Sequence, residues 1–320
     1  MTELSSGEAQ WTIGMDLGDR FSRFCILEAS SGDVVEEGRV ATTTTGLTQR
    51  FGKMAACRVA LEVGTHSPWV ERLLTGMGHE VLVANARKVR LIYNNESKSD
   101  RLDAENLARL ARVDPKLLHP IQHRDRASQE TLAVLRSRQA VVETRAKLVN
   151  HVRGAVKAYG SRIKSCSTAC FHTKSVQQIP EGLRPALTPI VETIGELSRK
   201  IRRYDQQIER LAEERYPVTQ QLRQVVGVGA LTALWFVLTI GDPHRFRNSR
   251  RVGAYLGLRP RRNQSGDDDP ELRITKTGDR QLRRLLVTAA HYILGPFGPD
   301  TDLRRWGLAL ARSVQVFGRT

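Results

Sequence analysis

Apolar positions follow two rhythms along this chain. Over residues 12–18 (TIGMDLG), 22–30 (SRFCILEAS) and 33–42 (DVVEEGRVAT), short apolar runs break at Gly18-Asp19 and at Ser31-Gly32-Asp33. That spacing predicts three strands joined by tight turns, an antiparallel meander. Two more strands are expected at 57–64 (CRVALEVG) and 79–86 (HEVLVANA), with helical spacing around 46–55 and in 67–78 (SPWVERLLTGMG). Strands alternating with helices after a meander imply a mixed α/β sheet.

Farther on, the period lengthens. KSDRLDAENLARL (98–110) begins a helix, and from Arg124 to about Tyr159 apolar residues recur at three-and-four spacing with no interior proline. One long helix is predicted there, and a second over about 183–215. The two suggest an antiparallel pair, or a coiled-coil arm used for dimerisation. Between them, SRIKSCSTACFHTKSVQQIP is polar and irregular, as expected of a loop or linker. From about 217 the chain opens with VVGVGALTALWFVLTIGD and later carries a basic helix, GDRQLRRLLVTAAHYIL. Gly227 and Gly229 have the spacing of a helix-hairpin-helix turn, whose backbone N–H groups and helix N-terminus hold a phosphate; a plain tight turn is the other reading. The expected division is an α/β domain over 1–120, a helical arm with linker over 121–216 and a mainly α domain over 217–320.

Charge narrows the partner. Fifty Lys and Arg against 34 Asp and Glu leave a net charge of +16 and a pI near 10.3, which calls for a polyanion. Nucleic acid suits this better than a membrane, because the longest apolar run, LTALWFVLTI (231–240), is half a spanning helix. The N-terminus MTELSSGEAQ lacks a basic-then-apolar signal pattern, and Cys25, Cys57, Cys166 and Cys170 are too few and scattered for a disulfide framework. A reduced, cytoplasmic, nucleoid-associated protein is expected. Cys166, Cys170 and His172 lack the second ligand pair of a closed zinc site.

The chemistry rests on carboxylates. Asp16 lies in the first strand and Glu62 at the end of the fourth, in apolar surroundings where an unpartnered carboxylate is costly. Asp100 and Asp103, three apart on a helix, point the same way and repel by a few tenths of a kcal/mol. If the two strands are neighbours, the four oxygen ligands converge on one or two Mg²⁺ ions, which offset the repulsion. Singly, each has an ordinary reading: a turn residue for Asp16, a helix-dipole charge for Asp100, a solvated face for Asp103.

The order strand Asp, strand Glu, helical D-x-x-D resembles the RNase H-like fold of RuvC-type nucleases. More closely, GMDLGDRFSRFCIL, ALEVGTHSPWVERLLTGMGHEVLVANARKVR and KSDRLDAENLARL resemble the N-terminal domain of the DEDD insertion-sequence transposases, the family of the pilin-gene invertases and bridge-RNA-guided recombinases. IGDPHRFRNSRRVGAYLGLRPRRNQSG and ITKTGDRQLRRLLVTAAHYIL resemble that family's C-terminal transposase domain. The resemblance implies that Asp16, Glu62, Asp100 and Asp103 bind Mg²⁺ and that Ser265, in NQSG, is the nucleophile that becomes attached to DNA. Such a serine needs a metal or base to take its proton and cations to hold the developing charge. Arg259, Arg261, Arg262 and Lys276 are the nearest candidates, and Arg280, Arg283 and Arg284 of the basic helix are further nucleic-acid contacts. It also implies a dimer or tetramer in which one protomer's carboxylates meet another's serine, and a structured guide RNA that pairs with donor and target DNA. One departure is SGDDDPEL, which sets Asp267 to Asp269 beside Ser265. Ser249, a rival serine, is read as a helix cap. A metal-dependent nuclease or junction resolvase using water, and a non-catalytic nucleic-acid-binding protein, remain the alternatives.

Overall fold

The computed structural model describes residues 10–89, 100–266, 268, 270 and 272–317, and divides into two compact units, Met1–His123 and Arg124–Thr320.

The first unit is a mixed α/β sheet with helices on both faces. β1 (Trp11–Asp16), β2 (Phe21–Glu28) and β3 (Val34–Ala41) form the antiparallel meander. There follow α1 (Thr44–Phe51), β4 (Arg58–Glu62), α2 (Ser67–Gly76), β5 (Glu80–Ala84), α3 (Ala86–Val89) and α4 (Asp100–Val113). The sheet order is β3-β2-β1-β4-β5, with β1 parallel to β4 and β4 parallel to β5. Alternation assigns the faces. Ile13 and Met15, Val59 and Leu61, and Phe24 and Ile26 pack against Leu47 and Phe51 of α1 and Val70 and Leu74 of α2. On the other face, Cys25 and Leu27 meet Ala104 and Ala108, while Ala60 and Ala84 meet Leu107 and Ala111. α4 covers that face with small residues, which lets its backbone approach closely.

The second unit is helical. α5 (Arg126–Ala158) starts at Asp125, whose Oδ1 accepts the Ser128 N–H at 2.7 Å. α6 (Phe171–Lys174) and α7 (Arg184–Glu214) follow. α5 and α7 run antiparallel: Leu132 and Leu135 share a cluster with Ile208 and Ala212, while Val149, Val152 and Val156 share one with Leu187, Val191 and Ile194. α8 (Thr219–Arg223), α9 (Ala230–Ile240), α10 (Arg250–Tyr255), α11 (Arg280–Leu294) and α12 (Asp302–Phe317) complete it. Leu234, Trp235 and Leu238 of α9 and Leu282 of α11 join the cluster of Leu132 and Leu135, so the stretches 121–216 and 217–320 share one apolar core.

Two local expectations change. The segment between the long helices is a packed cap: Ile163, Phe171 and Ile179 are buried against α5 and α7. Three well-placed apolar side chains anchor a stretch whose composition is otherwise that of a loop. Ser249 stands at the N-cap of α10, yet its hydroxyl makes no capping bond; Asn248 Oδ1 instead accepts the Arg251 N–H at 3.3 Å.

Candidate active site

Asp16 and Glu62 end neighbouring parallel strands. The β1–β4 register pairs Met15 with Leu61, so Asp16 and Glu62 are the next step of the same ladder, half-buried on the face that α4 covers. Strands lie about 4.8 Å apart, which sets two carboxylates side by side at one sheet edge.

The position of α4 follows from two contacts. A methyl group at Gly14 would stand 2.5 Å from the Ala108 nitrogen and closer still to the Ala104 carbonyl oxygen, so Gly14 lies level with the stretch between those alanines. Arg58, at the start of β4, donates from Nη1 to the Ala111 carbonyl at 3.4 Å. The helix therefore runs opposite to β1 and β4. Asp16 is two strand residues beyond Gly14, about 6.6 Å along, which equals about four residues of helix back toward its start. That level is the first turn of α4, which carries Asp100 and Asp103. Asp103 is half-buried there; the side chain of Asp100 lies outside the described residues.

The backbone thus brings the four positions to one edge. Among the described residues, no group of three or more His, Cys, Asp or Glu side chains is gathered tightly enough to hold a metal, and this applies equally to Cys166, Cys170 and His172. Arg23 faces Asp16 directly across β2 and shares its side of the sheet.

Several groups at this edge had no sequence signal. His66 Nε2 stands 3.5 Å from Asp19 Oδ1, and its Nδ1 accepts the Trp69 indole N–H at 3.1 Å. The loop after Glu62 is tied by buried Ser67, whose hydroxyl donates to the Gly64 carbonyl at 2.8 Å and accepts the Gly64 N–H at 3.0 Å. His123 Nε2 lies 2.9 Å from that hydroxyl and 3.9 Å from Glu71 Oε2. Burial pushes the Glu71 carboxyl up, against the lowering effect of Arg72. Ser67 and His123 are 56 positions apart, and no local pattern links them.

Ser265 belongs to the second unit, at the exposed tip of a hairpin-like excursion from α10 to α11. Pro260 bridges Ile274, Arg261 N–H donates to the Arg273 carbonyl at 3.0 Å, and Ser265 and Asp268 exchange backbone bonds at 3.0 and 3.1 Å around Gly266. The base is closed by Gly257 and Gly278, at φ +70° and +76°. A side chain on Gly257 would run into the Thr277 backbone, and one on Gly278 into the Tyr255 carbonyl. Arg259, Arg261, Arg262 and Lys276 are exposed along this excursion, and Lys276 holds a left-handed φ of 56°. Asp268 is exposed; Asp267 and Asp269 lie outside the described residues.

The basic helix divides its arginines. Arg280 is exposed, Arg284 is exposed 3.9 Å from Glu143, and half-buried Arg283 donates to the carbonyls of Leu256 and Thr277. Arg283 therefore braces the base of the Ser265 excursion. Gly227 takes φ +86° against Tyr292 and Ile293, and Gly229 is the N-cap of α9. Among the described residues, no helix is long and apolar enough to cross a membrane.

A sheet of this topology, with Asp and Glu on adjacent strand ends and a D-x-x-D helix crossing beside them, is compatible with an RNase H-like DEDD transposase. A family model described as transposase, of the DEDD type of IS110 elements, matches residues 13–160, and one described as transposase IS116/IS110/IS902 family matches 219–301. The chain is similar over 91% of its length to the transposase for insertion sequence element IS1111A of Coxiella burnetii, at 27% identity across 79% of that protein. It is 28% identical to the transposase for IS1328 of Yersinia enterocolitica, covering 87% of this chain and 82% of that one. A probable family 20 transposase of Pseudomonas aeruginosa is also 28% identical, over 83% and 80% of the two chains. The protein is a DNA transposase, an enzyme. It belongs to the IS110/IS116 family of DEDD transposases.

Proposed function

We propose that this transposase cuts and rejoins DNA through Ser265, assisted by Mg²⁺ held between Asp16, Glu62, Asp100 and Asp103. The family suggests dependence on a divalent metal. The residues present suit one: hard oxygen donors at a single sheet edge, with the close crossing at Gly14 bringing the first turn of α4 to the strand ends. When bound, the cation would neutralise the phosphate and favour an ionised oxygen.

In this reading Ser265 Oγ forms a bond to phosphorus as its proton leaves. One bridging P–O bond breaks, and the departing sugar oxygen takes up a proton. Reversal against a second DNA end releases the serine. Exposure at a hairpin tip gives Oγ access to a duplex, while Arg259, Arg261, Arg262 and Lys276 line the approach for phosphates. Arg280 and Arg284 extend that surface, and Gly227 and Gly229 present backbone N–H groups at the start of α9. The active form is a homo-oligomer, a dimer or tetramer, in which the 1–120 domain of one protomer serves the 217–320 domain of another and residues 121–216 build the assembly. A structured guide RNA from the element supplies sequence choice by base pairing.

The observation that carries the reading is the meeting of Asp16, Glu62 and the first turn of α4 at one edge, in a chain of this family. The test is a denaturing gel of the protein with donor DNA, Mg²⁺ and RNA transcribed from the element's flank. A covalent protein–DNA adduct is expected, lost in Ser265→Ala and in Asp103→Asn. Cleavage that persists in Ser265→Ala, with no adduct at any time, would assign the attack to water.

A further inference from the structure

The end of the helical arm carries an unneutralised positive surface. From Lys147 to Arg184 the chain has seven Lys or Arg and a single acid, Glu181. The cap buries Ile163, Phe171 and Ile179 inward, and Arg153 is spent on holding it, with Nη1 on the Ile163 carbonyl at 3.3 Å and the guanidinium 5.2 Å from the Phe171 ring. Lys157, Arg162, Lys164 and Lys174 are left exposed. Lys164 and Lys174 are held beside each other: Gln178 Oε1 accepts the Lys164 N–H at 2.7 Å while its amide donates to the Lys174 carbonyl.

These cations differ from those nearer the apolar core of the unit. There, Arg138 pairs with Asp205, Arg223 with Glu209 and Glu213, and Arg284 with Glu143. Lys157, Arg162, Lys164 and Lys174 make no ion pair among the described residues. Clustered like charges on an ordered surface repel one another, and a polyanion relieves the repulsion. From Leu135 in the shared core to Val156 under the cap, α5 rises about 30 Å. One turn of duplex, about 34 Å, covers that distance.

We propose that this cap is a second nucleic-acid contact, in which Lys157, Arg162, Lys164 and Lys174 grip the sugar-phosphate backbone of a duplex one turn from the C-terminal helices, without reading sequence. The inference rests on the transposase reading for the existence of a nucleic-acid partner. DNA and RNA share the chemistry recognised.

The test uses the full chain carrying Lys157→Gln, Arg162→Gln, Lys164→Gln and Lys174→Gln together, with binding to a DNA duplex and to an RNA duplex measured against salt. The slope of log affinity on log salt should fall by up to about 3.6 for DNA, from ~0.9 for each phosphate that is no longer neutralised. A drop with DNA alone assigns the cap to DNA, and a drop with RNA alone assigns it to RNA. Lys157→Arg, Lys164→Arg and Lys174→Arg should keep the original slope, which separates missing charge from a damaged cap. Unchanged slopes for both duplexes, in a quadruple variant that melts like the unaltered chain, would overturn the cap contact and leave the proposed function standing. An unaltered chain that binds neither duplex would overturn both.

Discussion

Gly14→Ala is the sharpest probe of how this fold builds its site. The new methyl would meet the Ala108 nitrogen at 2.5 Å and the Ala104 carbonyl oxygen closer still. Both are backbone atoms inside a helix, so no side-chain rotation gives relief. Restoring an ordinary contact of about 3.5 Å to the nearer of the two requires α4 to move away by about 1.5 Å. Overpacking of this kind costs about 1–3 kcal/mol, which for a unit of this size lowers Tm by roughly 5–15 °C. The functional loss should exceed the stability loss. Mg²⁺ demands oxygen ligands near 2.1 Å with close to octahedral geometry, and useful sites hold their distances to about 0.2 Å. A retreat of that size by the turn that carries Asp100 and Asp103 takes half the proposed ligand set out of reach of Asp16 and Glu62. Thermal melting and Mg²⁺-dependent adduct formation, measured below the variant's Tm, test both parts. A variant that melts within a degree or two of the parent refutes the packing. One that melts lower but forms the adduct at parental rate, with unchanged Mg²⁺ requirement, refutes the placement of the site.

Three other outcomes are expected. Cys57 is buried beside His79, and burial pushes its thiol up to about 12; at pH 8 a maleimide should label exposed Cys170 and spare Cys57 until the chain unfolds, as mass spectrometry of tryptic peptides would show. Glu71 is raised by burial, so as pH rises the unfolded chain loses this proton first; stability then falls through the window above the ordinary carboxylate range. Glu71→Gln should therefore melt higher than the parent at neutral pH and the same at acid pH, and equal melting at both would remove the basis for the claim. Gly257→Ala should abolish the Ser265 adduct, because a left-handed φ and the Thr277 backbone both oppose a side chain there; circular dichroism should still report the long helices, and retained adduct formation would count against the hairpin base as Ser265's support.

The short apolar runs were the readable part of the fold. TIGMDLG, SRFCILEAS and CRVALEVG state their strands because a strand covered on both faces reads as a brief continuous apolar run bounded by turn residues, and the structure keeps each within a few positions. The neighbourhood of Asp16 and Glu62 was legible only as a condition, since strand order depends on which edges pair. The cap between the long helices was illegible because Ile163, Phe171 and Ile179 share no period; each fills a gap defined by α5 and α7. α12, with Leu303, Trp306 and Leu310 outward, went unread for a related reason: a half-exposed stripe interrupted by arginines matches a solvated segment as well as a helix.

Yet the contact that sets the site was written in residue size. A glycine in the middle of an apolar strand weakens it unless another backbone must come close. Gly14 is such a residue, and the helix beginning at Asp100 carries Ala104, Ala108 and Ala111 on one side at the spacing of successive turns. Small residues facing small residues bring helix and strand axes together; Asp100 stands one turn before Ala104 on the same stripe, and Asp103 is in that same first turn. What sequence alone lacked was direction. Arg58, reaching from the start of β4 to the Ala111 carbonyl, fixes which end of α4 meets the carboxyl ends of the strands, and so makes a D-x-x-D turn the neighbour of Asp16 and Glu62.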